Sequence, residues 1–385
     1  MYDLLALSAR ARCEEGHYRL LAQRLSQFTG WLEVPTYAEL HGLGPLCYFH
    51  WQATAVPIPI TTRLALRALY LRHCQANEVR LRVLAEILAA YQAAGIQALV
   101  LKGAALACLV YPEPGLRPMR DLDLLVKKSE VRRAHALLAE LGFVVPRPPD
   151  QRLPSKHLAA ATRQTDGFLI SVEVHHNLFS DAQLVSLELD NLTVSPLPFA
   201  LGANGFTAYT LGYEDMLWHL CQHFILNAGV FAAHRLIWVA DIISLAEHFA
   251  AEIDWARIEK QYPLVLNTLS LLHFLTPLSE RLLVHARLKP GKRPPAGIGL
   301  DFQGWPHSGL TEQRQKGYRR ILRDTFWPSE WWLRLYYGLG SIRPVFWQRW
   351  IGHPLYILRL AAPLLLKRVK YSILKPASSK GKSNA

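Results

Sequence analysis

Two short segments hold the residues best suited to chemistry. Asp121-Leu122-Asp123 sets two carboxylates two positions apart, and Val172-Glu173-Val174-His175 repeats the alternation with Glu and His. On a strand, alternate residues share a face. Asp121 and Asp123 then point one way, roughly 6–7 Å apart along the chain, while Leu122 and Leu124 turn to a core. Glu173 and His175 share one face of their own strand, opposite Val172 and Val174. Oxygen-loving Mg²⁺ takes one or two carboxylates and keeps its other positions for water and phosphate. Two such ions, roughly 3.5–4 Å apart, clamp the attacking and leaving oxygens of an in-line displacement at phosphorus. A lone D-x-D also describes a solvated strand face. Glu173 is what turns the pair into a two-ion set, and its carboxylate is placed to accept the proton of an incoming hydroxyl.

Lys102-Gly103 ends the apolar run Ala98–Leu101 just before a predicted helix. Glycine lets the backbone approach a phosphate, a helix start offers unpaired N–H groups, and Lys102 adds a point charge. Arg117 and Arg120 precede the aspartates. Arg120 adjoins Asp121 and is assigned to the site, whereas Arg117 reads equally well as solvated surface. His219 and His223 lie four apart on a predicted helix, a spacing compatible with a metal. No Glu follows the first His in the metalloprotease manner and no Cys cluster accompanies the pair. Helix packing and lining of a cleft are the alternatives to zinc. Asp241 reads as a buried partner for one of these or for His234.

These residues need elements to position them. Residues 1–95 read as helical, best over Asn77–Ala94, where Val79, Val83, Leu84, Ile87, Leu88 and Tyr91 recur at three- and four-residue spacing. Gly95 supplies the stop. Ala98–Leu101 reads as a buried strand, Ala104–Val110 as a short helix and Asp121–Val126 as an alternating strand. Ser129 is placed as the N-cap of a helix running to Glu140 and ended by Gly142. Phe143–Val145 and Phe168–His175 read as further strands, and the proline-rich 146–154 as a loop. From Tyr213 to about Leu288 the chain is again helical, with Asp254 opening one helix, and Lys289–Pro306 is a Gly/Pro-rich linker.

Taken together, Val100-Leu101-Lys102-Gly103-Ala104-Ala105-Leu106, Tyr111-Pro112 and Arg117-Pro118-Met119-Arg120-Asp121-Leu122-Asp123-Leu124-Leu125-Val126 resemble the uncharacterised bacterial nucleotidyltransferase family of the DNA polymerase β-like superfamily. Val172-Glu173-Val174-His175 is similar to that family's third-carboxylate strand, and the resemblance runs over roughly residues 75–290, through His219, His223 and Trp238–Ile242. It implies an α+β fold: a polymerase β-like nucleotidyltransferase core with a short mixed sheet, flanked by N-terminal helices and a C-terminal helical domain. It also implies Mg²⁺-dependent transfer of a nucleoside monophosphate from an NTP to a hydroxyl-bearing acceptor, with pyrophosphate leaving. Asp121 and Asp123 are expected on both of two ions and Glu173 on the catalytic one. Lys102, Gly103, Arg120 and His175 are expected at the nucleotide, with ATP as donor. The wider superfamily usually has Gly-Ser at the first turn; here Ala104 follows Lys102-Gly103. A small molecule or biosynthetic intermediate is the expected acceptor, RNA the alternative, and a non-catalytic nucleotide-binding scaffold the third reading.

A chain of 385 residues with 51% hydrophobic and 19% charged residues buries a substantial core and is not disordered. The boundaries read as 1–95 (helical region), 96–210 (catalytic core), 211–290 (helical domain) and 291–385 (linker and aromatic/basic extension). Five scattered cysteines and no basic-then-apolar leader point to free thiols and a cytoplasmic location. The net charge of +13 is concentrated in the tail, because Trp331 to the end holds ten Lys or Arg and no Asp or Glu. That leaves about +3 for the rest, which weakens the case for a general polyanion binder. Tail aromatics interleaved with arginines suit a peripheral membrane contact, a nucleic-acid surface, or helices packed on the core with a basic rim. No run there is long enough to span a bilayer.

Overall fold

The computed structural model describes residues 1–147, 153–154, 156–179, 186–202, 205–226, 235–291, 318–328, 330–339 and 344–359. His234, most of the Lys289–Pro306 linker and everything from residue 360 onward lie outside the described residues.

Five helices come first: α1 (Tyr2–Leu7), α2 (Glu15–Ser26), α3 (Val34–His41), α4 (Gly44–Gln52) and the 34-residue α5 (Ile60–Ala93). The apolar stripe of α5 is buried at Val79, Val83, Leu84, Ile87, Leu88 and Tyr91, as its spacing predicts. Gly95 ends the helix with φ +71°, and Ile96 N–H closes onto the Tyr91 carbonyl at 2.8 Å.

The strands then alternate with helices: β1 (Ala98–Val100), α6 (Lys102–Leu109), β2 (Leu122–Val126), α7 (Val131–Glu140), β3 (Ala161–Thr165) and β4 (Phe168–His175). The sheet order is β1-β2-β4-β3, with β2 and β4 parallel and the outer pairs antiparallel. A separate hairpin, β5 (Leu197–Leu201) and β6 (Phe206–Thr210), precedes the second helical stretch. That stretch holds α8 (Tyr213–Leu226), α9 (Leu236–His248), α10 (Trp255–Gln261), α11 (Pro263–Leu272) and α12 (Glu280–His285). Asp254 caps α10 as expected, its carboxylate accepting Arg257 N–H at 3.0 Å. Ser129 does not cap α7, which starts at Val131 with no side-chain cap. The α+β reading with a short mixed sheet holds.

The sheet has two covered faces, and the alternation in its strands decides what meets each. Val100, Leu122, Leu124, Val126, Ile170, Val172 and Val174 pack with the C-terminal half of α5 and with α7. Leu99, Leu101 and Leu125 face the other way, into a core shared by α1–α4, α8, α9 and α11. Asp123, Glu173 and His175 fall on this second face by the same period of two. Each fully buried Leu or Ile contributes about 1.5–3 kcal/mol of burial free energy, so neither face tolerates a slip in register.

The tail helices α13 (Tyr318–Phe326), α14 (Glu330–Tyr336) and α15 (346–359, with a π-turn at Gln348–Gly352) follow. Trp332, Leu333 and Leu335 join the second core, so this part of the extension packs on the body. No described helix is long and apolar enough to cross a membrane. All five cysteines are unpaired. Burial pushes the Cys13 and Cys47 thiols up to about 12 and Cys108 to about 11, which keeps them protonated and unreactive.

Candidate active site

The parallel register of β2 and β4 sets Asp123 directly beside Glu173 and Leu125 beside His175. His175 Nε2 lies 2.9 Å from Asp123 Oδ1 and 3.4 Å from Glu173 Oε2, so one imidazole bridges both acids. Lys102 closes the other side, its Nζ 3.3 Å from Asp123 Oδ2. The backbone explains that reach. Leu101 N–H bonds to the Asp123 carbonyl at 2.9 Å, continuing the β1–β2 ladder, and Lys102 then turns sharply with φ +45° into α6. A lysine in the left-handed region costs about 1–2 kcal/mol, a strain held by the ladder on one side and the buried helix on the other.

The site grades from floor to mouth. Asp123 is buried, Lys102 and Glu173 are partly open, and Asp121 and Arg120 are exposed one and two residues before β2. Burial alone would raise the Asp123 carboxyl. The Lys102 ammonium and the His175 hydrogen bond outweigh it and hold the group well below the usual carboxylate range. Glu173 is also lowered, chiefly by its hydrogen bond from His175. Asp121, exposed as a residue, moves the opposite way: the protein packed on one side of its carboxyl reduces its hydration, and the Asp123 charge adds repulsion.

Among the described residues, Asp123, Glu173 and His175 form the group whose ligand atoms all lie within 4.8 Å of one another. Two carboxylates supply the charge and hard oxygen donors that a divalent cation needs, and an imidazole widens the choice to transition metals. The Lys102 ammonium already sits against Asp123 as a cation would. These residues therefore fit a metal. Asp121 stands outside this closest group, within electrostatic range of both other acids.

Gly103 and Arg117 take roles that the sequence does not disclose. Arg117 is buried, and its guanidinium grips Asp241 with Nη2–Oδ2 at 2.6 Å and Nε–Oδ1 at 3.2 Å. Tyr111 donates its hydroxyl to the same carboxylate at 2.8 Å. Asp241 thus serves Arg117 and Tyr111. The guanidinium runs against Gly103, where any β-carbon would overlap Arg117 Nη1. The Arg117 guanidinium by itself calls for a glycine at position 103. Asn77 on α5 fixes the same loop, donating to the carbonyls of Pro114 at 2.7 Å and Arg117 at 2.9 Å.

His219 and His223 line the helical side. His219 packs edge-on against Phe179, and His223 against Trp238. Burial, then the Lys102 charge, lowers both imidazoles well below their ordinary range, so they are neutral. They are not part of the close ligand group.

One residue at the site, His157, is not disclosed by the sequence. His157 follows the proline-rich loop and pairs antiparallel with His175. Its ring centroid is 4.8 Å from that of His175, and its Nε2 is 3.6 Å from Glu173 Oε2. Only its neighbourhood to a strand edge could have flagged it. Arg235 donates its Nε–H to the Leu40 carbonyl at 3.2 Å, and burial, then the positive charges of Arg120 and Arg117, draw it down to about 10.

Several solved structures are distantly similar. One is ANT(2″)-Ia in complex with adenylyl-2″-tobramycin, at 17% identity and TM-score 0.30, covering 45% of this chain and 90% of that one. Another is an antigenic nucleotidyltransferase-like protein from Paracoccidioides brasiliensis, at 15% identity and TM-score 0.30, covering 55% and 97%. No curated protein matches the sequence significantly. Residues 28–283, well over half of the chain, match the family described as uncharacterised nucleotidyltransferase. The chain belongs to that nucleotidyltransferase family.

Proposed function

We infer that this protein is a metal-dependent nucleotidyltransferase that moves a nucleoside monophosphate from an NTP, with ATP as the expected donor, to a hydroxyl of a small molecule or biosynthetic intermediate. One observation carries the reading: the β2–β4 register puts Asp123 and Glu173 side by side, with Lys102 and His175 closing the pair. Two carboxylates side by side suit a divalent cation, which in turn would draw the phosphate oxygens.

Asp123 and Glu173, with His175 as a close nitrogen donor and Asp121 at the mouth, would hold Mg²⁺, two ions in the full site. When bound, the metal supplies charge neutralisation at the transferred phosphoryl group. The chain's own groups do the rest. Lys102 and Arg120 give positive charge for the triphosphate. Glu173, ionised and partly open, takes the proton from the acceptor hydroxyl as that oxygen attacks the α-phosphorus. His175 keeps the carboxylates aligned, and pyrophosphate is the leaving group.

The test is incubation with each labelled NTP, Mg²⁺ and a cell extract, followed by mass analysis of whatever gains a nucleoside monophosphate. Pyrophosphate release that disappears in Asp123→Asn supports the reading. Nucleotide binding with no pyrophosphate from any NTP or extract would replace it with a nucleotide-binding scaffold.

A further inference from the structure

Far from the carboxylates, α15 has two unlike sides. Its inner side is fastened to the body. His353 is buried, with Nε2 2.8 Å from the Thr325 carbonyl and Nδ1 2.8 Å from the Tyr337 hydroxyl. Tyr356 meets the Tyr336 hydroxyl at 2.6 Å, and Tyr336 stacks on buried Trp332 at 4.4 Å between centroids. The outer side carries Phe346, Trp347, Trp350, Ile351, Leu355 and Leu358, all exposed, Trp347 at 67%. Trp327, at the end of α13, extends the patch with its ring centroid 6.3 Å from that of Trp350, and exposed Leu322 lies one turn before it. The inner contacts are already made, so this face has no route back into the core. An apolar patch of this size on a water-facing helix marks a docking surface.

Charge identifies the occupant. From Tyr318, where α13 begins, to the end the sequence has thirteen Lys or Arg against two acidic residues, Asp324 and Glu330, the second paired with Arg334 at 2.7 Å, and Arg319 and Arg359 are exposed. Tryptophans at headgroup depth, aliphatic residues below them and arginines at the rim match an anionic bilayer surface. Ile351, Leu355 and Leu358 have no π-face on which a nucleobase could stack, which disfavours RNA. A second copy would bring two basic tails together. We propose that α13 and α15 dock this protein, without crossing, onto membranes rich in anionic phospholipid.

The test is flotation of the full chain with vesicles of phosphatidylcholine, with and without phosphatidylglycerol. The wild type should float with the anionic vesicles, less so at high salt. Trp347→Ser/Trp350→Ser should lower partitioning roughly 10-fold while leaving the melting temperature and pyrophosphate release unchanged. If that variant is unfolded, quenching of wild-type tryptophan fluorescence by brominated acyl chains decides, and no quenching overturns the proposal. So do no flotation with either vesicle, a double variant that floats like the wild type, RNA binding lost in the double variant without vesicle binding, or a dimer that the substitutions disperse.

Discussion

The Arg117 guanidinium runs so close to Gly103 that the glycine has no room for a side chain. This contact joins the first turn of α6, which carries Lys102, to α9, which carries Asp241. Gly103→Ala therefore pushes the guanidinium off a buried carboxylate. Separating a buried pair costs about 3–5 kcal/mol, and the loss of position at Lys102 should reduce nucleotidyl transfer as well. Thermal melts and turnover on the same preparation check both. A variant with wild-type stability would show that Arg117 moves freely.

Lys102→Gly separates charge from backbone. The left-handed φ suits glycine, so relief of strain offsets about 1 kcal/mol of the cost of leaving buried Asp123 without its ammonium, and stability should still fall by roughly 2–4 kcal/mol. Turnover should fall, with a raised KM for the nucleotide. An unchanged KM would remove Lys102 from the phosphate rim.

Asp123→Asn keeps shape but removes the charge that balances Lys102. Transfer should drop by roughly 10³-fold or more, while the circular dichroism spectrum stays unchanged. Excess EDTA should stop the wild type reversibly. Saturating Mg²⁺ at about 100 times its Kd should stabilise the wild type by about 2.7 kcal/mol and leave Asp123→Asn unaffected.

His50 is neutral and fully buried. Its Nε2 donates to the Arg10 carbonyl at 2.8 Å, leaving Nδ1 to accept the Tyr18 hydroxyl at 3.2 Å. Burial lowers its pKa to about 4, and the same cause, with the Arg10 charge, takes His17 to about 4. An unfolded histidine titrates near 6.5, so between there and about 4 the unfolded chain binds protons that the native state refuses. Stability is full above that window and falls as pH drops through it, by up to about 3 kcal/mol for His50. Urea midpoints across this range should show the loss, and His50→Gln should flatten the slope.

The site was more legible than the frame around it. The alternation in Leu122–Val126 and Phe168–His175 discloses which side chains share a face, because a strand's period survives without tertiary contacts, whereas Asp121, expected on the same strand, lies one residue before it. What lay hidden depended on pairing. His157 enters only because its segment pairs with β4, and Asp241 meets Arg117 across 124 residues, which no local spacing encodes. The β5–β6 hairpin carries no strand signal in its sequence, because Leu197–Leu201 contains Pro198 and lacks a run of β-branched residues. Ser129 failed as a cap because the turn before α7 ends one residue later, at Glu130.

Helix α5 has a consequence for how the molecule comes apart. At 34 residues it is about 50 Å long, and it supplies Leu66 to one core and Val79 through Tyr91 to the other. Melting either half of this shaft strips a wall from the core it serves and frays the helix towards the other. The two cores should therefore lose cooperativity together, giving a single calorimetric transition, and protease nicking should not release a folded fragment from either side.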